Sequence, residues 1–387
     1  MMYVAGIAIS LFLLLLLISK KQKNNADKIM TVWFFFAVIH LAYISWYALE
    51  WYRDMPALMG WEMPFPLLHG PFLYLYVLYL TNQQQHRFNH LWHFAPFVAG
   101  YVILAPVILS MPPGDWLQQE KALPYFPFFS GFTVAIILSG LIYISLSLVL
   151  LHRHRKNITN NFSSTDKITL NWLRYLIGGM GVIWAVVIFY RTTQSLYISV
   201  ALFMFFIGYF GIKQVGIFSD SPLSGYLPAI IPGDAVLEPA TDGVPDEKIK
   251  YERTGLTESE ATKIHTALIS LMQEKQLYKQ PELTLGELAK ELQVHPSLLS
   301  QVINSLEQKS FYDYINTLRV EAFKQLVLRP ESQKFTLLSL AFECGFNSKS
   351  TFNRNFKKMT ELSPRDYLKL HHIDMNAFNT GEEDAGV

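Results

Sequence analysis

Nine polar side chains near the C-terminus have the types and spacing needed to contact base edges and phosphates. Lys and Arg donate to guanine or phosphate, Asn and Gln can form two hydrogen bonds with adenine, and Ser can approach either a base or a phosphate. These residues recur at helical spacing in two short segments: Ser297, Ser300, Gln301 and Asn304 in the first, and Lys349, Ser350, Asn353, Arg354 and Lys357 in the second. The pattern indicates two helices, each with a donor-rich face.

Each donor-rich helix needs a preceding helix to position it. The preceding helix of the second segment is indicated by apolar residues at i, i+3, i+4 and i+7, which are Leu337, Leu340, Ala341 and Cys344. Thr336 can cap that helix, and Gly345 follows it where helices commonly end in a left-handed conformation. Asn347 or Ser348 can cap the next helix, whose apolar stripe is Phe352, Phe356 and Met359. Helix, tight turn and helix over 336–359 is a layout that lets the second helix enter the major groove of DNA.

The same unit occurs twice in the chain. The first-helix spacing is repeated 52 residues earlier by Leu285, Leu288, Ala289 and Leu292. After a turn one residue shorter the offset becomes 53, so that Ser310 corresponds to Ser363 and Tyr314 to Tyr367. The duplication predicts motif one at 283–306 and motif two at 336–359. A helix over 313–328, roughly 24 Å long at 1.5 Å per residue, would join them as a rigid spacer.

These residues resemble the double helix-turn-helix DNA-binding domain of the AraC/XylS family of bacterial transcription regulators. The resemblance covers 283–370, roughly the last quarter of the chain, and is carried by Asp313-Tyr-Ile-Asn-x-x-Arg319, Ala341-Phe-Glu-Cys-Gly-Phe346, Ser348-x-Ser350-x-Phe352-x-Arg354-x-Phe356-Lys-Lys358 and Ser363-Pro-x-x-Tyr367. It implies double-stranded promoter DNA as the partner. Gln308 and Glu361 depart from the family pattern, which usually has Gly just after each recognition helix, so we expect strained or differently capped helix ends there.

The first 212 residues have a different composition from the rest. The whole chain is 51% hydrophobic and only 16% charged, and its long apolar runs are confined to this part. A membrane span needs about 20 residues. Seven runs are candidates: 2–19, 29–50, 65–80, 94–111, 131–151, 172–190 and 195–212. The sequence therefore predicts an all-α protein, with a seven-helix transmembrane bundle at 1–212 followed by a cytoplasmic AraC-type double helix-turn-helix domain.

Loop charge predicts the orientation of the bundle, because Lys and Arg are retained on the cytoplasmic side. One set of loops carries eleven such residues and the other set carries three. This places the N-terminus outside and residues from 213 onward inside a bacterial cell (inner) membrane, where DNA is available. The first apolar run lacks a basic start and a small-residue cleavage site, so we interpret it as an uncleaved anchor.

Three ionisable residues within or at the ends of the spans are candidates for sensing: His40, Glu50 and His69. Ionisable groups at membrane depth are functional candidates by default because they are costly to place there. Glu50 has a plainer interpretation as a partner of Arg53, and the histidines as hydrogen-bonded packing residues. Contact with a sensory ligand or a membrane partner is the alternative.

The remaining segments connect or follow these parts. Residues 213–256 are rich in Pro, Gly and acids without any period, which predicts a flexible linker. Thr257 and Glu260 form a capping box that opens a connecting helix within 257–282. The acidic tail at 371–387 is predicted to be disordered.

Three functions remain open at this point. The first is a membrane-bound one-component transcription regulator, in which the bundle senses a ligand and controls promoter binding; a homodimer is one arrangement. The second is a transporter or membrane enzyme with an appended DNA- or protein-binding module. The third is a protein-binding module that has lost DNA binding. The spans lack paired carboxylates, a nucleophile motif and a phosphate-binding Gly loop, which favours the first. We expect no enzyme activity, catalytic residue, metal or cofactor.

Overall fold

A computed structural model describes residues 2–81, 90–110, 126–165, 170–190, 192–213, 256–373 and 378. Within these ranges the chain is helical and contains no β-strand, as predicted; an isolated antiparallel bridge pairs Phe162 with Thr284. The chain divides into two compact units, Met1–His154 with Leu170–Pro232 and Arg155–Thr169 with Gly233–Val387. Nearly all of the predicted linker and most of the predicted disordered tail lie outside the described residues.

Each of the seven predicted apolar runs is helical. The helices are α1 (Met2–Ser19), α2 (Asn25–Ala48), α3 (Pro66–Leu80), α4 (Ala95–Ser110), α5 (Phe126–Asn161), α6 (Asn171–Phe189) and α7 (Thr193–Lys213). Among the described residues, four segments are long and apolar enough to cross a membrane: Asn25–Ala48, Leu91–Ser110, Phe128–Asn161 and Asn171–Phe189. The apolar parts of α1, α3 and α7 are shorter, so seven crossings stay a prediction.

Helix α2 lies at the centre of the first unit. Its buried residues include Trp33, Phe34 and Leu41, which join a hydrophobic cluster with side chains from α1, α3, α6 and α7. The start of α2 is fixed by a capping box between Asn24 and Asp27 and by a buried Lys20–Asp27 ion pair of 2.9 Å. This pair is nearly excluded from solvent, with exposed side-chain fractions of 2% and 7%.

The second unit contains seven more described helices. They are α8 (Glu258–Lys275), α9 (Leu285–Glu291), α10 (Pro296–Leu306), α11 (Phe311–Leu326), α12 (Leu337–Glu343), α13 (Lys349–Thr360) and α14 (Pro364–Leu370). The predicted capping box of Thr257 with Glu260 opens α8, although that helix ends at Lys275 and is followed by a separate 3-10 turn. Thr336 caps α12, and Ser348 rather than Asn347 caps α13.

The boundaries predicted for the spacer helix were wrong by two residues. Helix α11 begins at Phe311 rather than 313 and ends at Leu326 rather than 328. Its start is set by Ser310, whose hydroxyl accepts a hydrogen bond from the backbone N–H of Asp313. Ser363, 53 residues later, caps α14 in the same way. The duplicated Ser is therefore a helix start in both copies.

Helix α11 joins two small hydrophobic cores. Its first half contributes Phe311 and Ile315 to the core of motif one, which α8, α9 and α10 complete. Its second half contributes Val320 and Phe323 to the core of motif two, together with residues of α12, α13 and α14. A shared helix of this kind positions the two motifs as a rigid spacer would. Cys344 is buried in the second core, and burial raises the pKa of its thiol to about 12.

The two departures from the family pattern are strained, because Gln308 and Glu361 have left-handed φ angles of 55° and 63°. We expect Glu361→Gly to raise the free energy of unfolding of motif two by about 0.5–1 kcal/mol, because Gly adopts this conformation without a Cβ clash. The measurement is labelling of the buried Cys344 in the full chain across a urea titration. In the control Lys357→Gly, within the same helix, the free energy of unfolding should fall instead. Equal changes for both variants would contradict the assignment of strain.

Candidate nucleic-acid interface

The turn between α12 and α13 sets the direction of α13. Gly345 has a φ of 97°, and a Cβ there would lie 2.6 Å from the carbonyl oxygen of Tyr278 and 2.8 Å from the Cα of Lys279. Glycine is thus required both by the backbone angle and by the close approach of another backbone segment. The turn is held against the 3-10 helix Leu277–Lys279.

The outer face of α13 is open to solvent. Its residues predicted to contact DNA are all exposed: Lys349, Ser350, Asn353, Arg354 and Lys357. The opposite face is buried and consists of Thr351, Phe352, Asn355 and Phe356. Burial of one face and exposure of the other leave the donors at the surface that a major groove would meet. Their contact with DNA stays a prediction.

Tyr312 of α11 positions α13, a role that sequence patterns did not reveal. Its hydroxyl accepts hydrogen bonds from Nδ2 of Asn355 at 2.7 Å and from Nη2 of Arg354 at 3.1 Å. Lys358 adds an ion pair with Asp313 of α11 at 2.6 Å. These bonds hold the guanidinium of Arg354 at the surface while α13 is anchored from its inner side. The available signal was a Tyr in the first turn of the spacer helix, close to the capping residue Ser310. Periodicity alone assigns that Tyr to the core and does not reveal the hydrogen bonds of its hydroxyl.

The outer face of α10 is less open than that of α13. Ser297 is exposed, whereas Ser300, Gln301 and Asn304 are half-buried. Nδ2 of Asn304 donates to Oγ of Ser300 at 3.3 Å, so part of this polar surface is bonded locally. His295, which no sequence pattern identified, is the N-cap residue of α10, and Pro296 occupies the first turn of that helix.

Motif two, whose polar helix face is the more exposed, also carries the greater excess of positive charge. Residues 283–333 contain five Lys or Arg and six acids, whereas residues 334–370 contain seven Lys or Arg and three acids. Attraction of phosphate depends on such cations. An interface built on these helices would therefore receive most of its electrostatic attraction from motif two.

Two of the three candidate sensing residues lie together in the first unit. Trp33 Nε1 donates to His69 Nδ1 at 3.0 Å, and His69 Nε2 lies 2.8 Å from His40 Nδ1. Because Trp33 has only a donor, His69 Nδ1 must accept, so His69 Nε2–H donates to His40. Both rings border an apolar cavity of about 140 Å³ between α2, α3, α6 and α7. Glu50 is not part of this chain of bonds: it is exposed and pairs with Arg53 at 2.8 Å.

A fourth ionisable group in this unit escaped the sequence analysis. Glu62 lies between α2 and α3, and its Oε2 is a buried atom with no hydrogen-bond partner in the described part of the chain. Burial raises the pKa of Glu62, an effect reduced by hydrogen bonds from Tyr47 and from the backbone. The sequence signal that could have identified Glu62 is its position beside Trp61, in a loop rich in aromatic residues.

Comparisons with known proteins concern the second unit. Residues 288–370 match a family described as a helix-turn-helix domain. The chain is also similar to an uncharacterized HTH-type transcriptional regulator, YijO, of Escherichia coli (strain K12), with 29% identity over 101 residues. That similarity covers 26% of this chain and 35% of the length of the relative. No solved structure matches the chain. The matched residues include α10, α11 and α13.

Proposed function

We propose that this chain, whose residues 288–370 are a helix-turn-helix domain of the AraC type, is a membrane-attached transcription regulator. The domain would bind specific promoter DNA through α10 and α13. The observation that carries the proposal is the exposed, donor-rich face of α13, repeated less openly in α10, with α11 joining both cores. A domain of this kind serves DNA binding rather than catalysis, which supports a regulator over a membrane enzyme.

In the proposed complex the two helices read the duplex unequally. Arg354 and Lys349 can address guanine, Asn353 adenine, and Lys357 and Ser350 a phosphate or a base. Helix α10 offers Ser297, Ser300, Gln301 and Asn304, which carry no formal charge. Since α11 has 16 residues, it is roughly 24 Å long and suits recognition helices in successive major grooves, about one duplex turn apart.

A selection from genomic DNA tests the proposal. The full chain in lipid nanodiscs should enrich a two-part motif whose halves lie about one turn apart, and the half read by α13 should dominate. Salt-sensitive binding without enrichment would mean non-specific attraction to phosphate. An absence of binding would favour a protein-binding module.

The first unit would serve as the membrane sensor. Its long apolar helices support insertion into the inner membrane, and loop charge supports an external N-terminus. The cavity beside His40 and His69 is the proposed position for a sensory ligand, and Glu50 would face the outside at the end of α2. Alkaline phosphatase fusions after residues 60 and 215 test the orientation: we expect activity at 60 and none at 215. Activity at 215 would place the DNA-binding domain outside and contradict the proposal.

A further inference from the structure

The segment that connects α5 to α6 contributes four described residues, Phe162–Thr165, to the second unit; we call them the loop segment. Phe162 forms an antiparallel bridge with Thr284, and the backbone N–H of Ser163 donates to the carbonyl oxygen of Leu283 at 3.1 Å. Leu283 and Thr284 directly precede α9. Residues from the segment between α5 and α6 thus pair with the start of motif one.

Ser163 also fills a polar site on α11. Its carbonyl oxygen accepts from Nδ2 of Asn316 at 3.0 Å and from Nη1 of Arg319 at 3.3 Å. Its hydroxyl lies 3.2 Å from Nη2 of Arg319. All three residues are buried, with exposed fractions of 1% or less. Buried polar groups are costly unless they are hydrogen-bonded, so this match is specific.

Arg319 is the buried charged group that receives part of its hydrogen bonding from the loop segment. Its other acceptors include the carbonyl oxygens of Tyr278 and Gln280, each at 2.7 Å. A buried guanidinium must have its five N–H donors satisfied. Ser163 supplies an acceptor to each terminal nitrogen. With the loop segment docked, Nη1 has a second acceptor beside Oδ1 of Asn316, and Nη2 has a second acceptor beside the carbonyl oxygen of Gln280.

The loop segment reaches motif two as well. Nδ2 of Asn347 donates to Oγ of Ser164 at 2.7 Å, and Asn347 directly precedes Ser348, the cap of α13. Through Phe162, Ser163 and Ser164 the loop segment therefore contacts the start of motif one, the spacer helix and the start of α13. Contacts to all three parts at once would resist any rotation of one motif relative to the other.

We propose that Leu283, Asn316, Arg319 and Asn347 form a docking surface for the loop segment, and that docking fixes the relative orientation of α10 and α13. This inference rests on the proposed function. It means that α5 and α6, which the loop segment connects, would control DNA binding through the position of that segment. The outer face of α13 stays exposed while the loop segment is docked. Docking therefore preorganises the DNA-binding form rather than blocking it, which lowers the cost of binding two grooves together.

Ser163→Trp in the full chain separates the docked and undocked forms without altering the helix-turn-helix residues. The indole cannot occupy a site in which Ser163 has no exposed surface. In nanodiscs we expect affinity for the two-part site to fall roughly tenfold, a loss of about 1.4 kcal/mol. Affinity for the half-site of α13 alone should not change. The matched control is Asn157→Trp, at an exposed position near the end of α5.

Crosslinking tests docking independently of DNA. Ser164→Cys with Asn347→Cys should be joined by a short bismaleimide in native membranes, and adding Ser163→Trp should remove the product. The control pair is Ser164→Cys with Lys369→Cys, because Lys369 is exposed on α14, which follows the far end of α13. The natural Cys344 is buried with its pKa raised to about 12, so it should react slowly.

The outcomes separate the two ideas. No crosslink above the control pair overturns docking, whether or not the chain binds DNA. A crosslink together with unchanged or increased two-part affinity in Ser163→Trp overturns the control of DNA binding by docking. If the chain selects no specific DNA, the proposed function and the control inferred from it both fail, while the crosslink still decides whether the surface is occupied.

Discussion

Replacing Lys349 and Arg354 together by Ala should weaken binding of the full chain to its two-part DNA site by about a hundredfold or more. A good contact of Arg or Lys with guanine contributes about 1–3 kcal/mol of discrimination, and both side chains are exposed on the outer face of α13. Fluorescence anisotropy at several salt concentrations measures the effect. The slope of affinity against salt should also decrease by about one for each phosphate that the variant no longer neutralises.

The control for this variant is Lys358→Ala on the same helix. Lys358 is also exposed, but its ammonium forms an ion pair with Asp313 of α11. The Lys358→Ala variant removes a positive charge from α13 without removing a proposed DNA contact. Its affinity for the two-part DNA site should therefore change by less than about threefold. Folding of the double variant is checked by protection of Cys344, because Asn355 still bonds Tyr312 when Arg354 is absent. If the double variant bound its site as tightly as Lys358→Ala, α13 would not be the recognition helix.

Gly345→Ala should destabilise motif two by about 2–5 kcal/mol. The left-handed backbone costs a non-glycine residue about 1–2 kcal/mol. The added Cβ would also lie 2.6 Å from the Tyr278 carbonyl oxygen, and overpacking of this kind costs about 1–3 kcal/mol. Because the atoms it meets belong to the backbone, no side chain can rotate away. Urea-dependent labelling of Cys344 measures the destabilisation directly, since that residue is the immediate neighbour of Gly345.

Motif one supplies the matched comparison. Gln293 occupies the position equivalent to Gly345 and also has a left-handed φ, of 56°. A non-glycine residue already occupies that turn, so Gln293→Ala should change stability by less than about 0.5 kcal/mol, as surface substitutions usually do. Gln293→Ala therefore controls for alanine itself in a left-handed turn, whereas Gly345→Ala adds both the backbone-angle cost and the close approach to Tyr278. Equal stability of Gly345→Ala and wild type would refute the clash.

The sequence alone determined the features that depend on neighbours three or four residues apart. Apolar spacing predicted α9, α12 and α13, the spacing of polar residues predicted α10, and the duplication predicted both motifs. Capping residues such as Thr336 set helix starts correctly. The strain at Gln308 and Glu361 was foreseen as one of two outcomes, because Gly is the residue that adopts such angles without cost. The two-residue error in α11 arose where the cap Ser310 was overlooked.

The tertiary structure decided the features that join residues distant in sequence. Ser163 and Arg319 are separated by 156 positions, Arg354 and Tyr312 by 42, and His40 and His69 by 29. No helical or strand period relates such pairs, so spacing cannot predict them. Arg319 illustrates the reason: the family pattern marks it as an Arg of the spacer helix, but only folding brings carbonyl oxygens from separate segments around its guanidinium. Local sequence determined which helices form, and the burial of polar groups such as Arg319 and Asn316 determined which segments must come together to bond them.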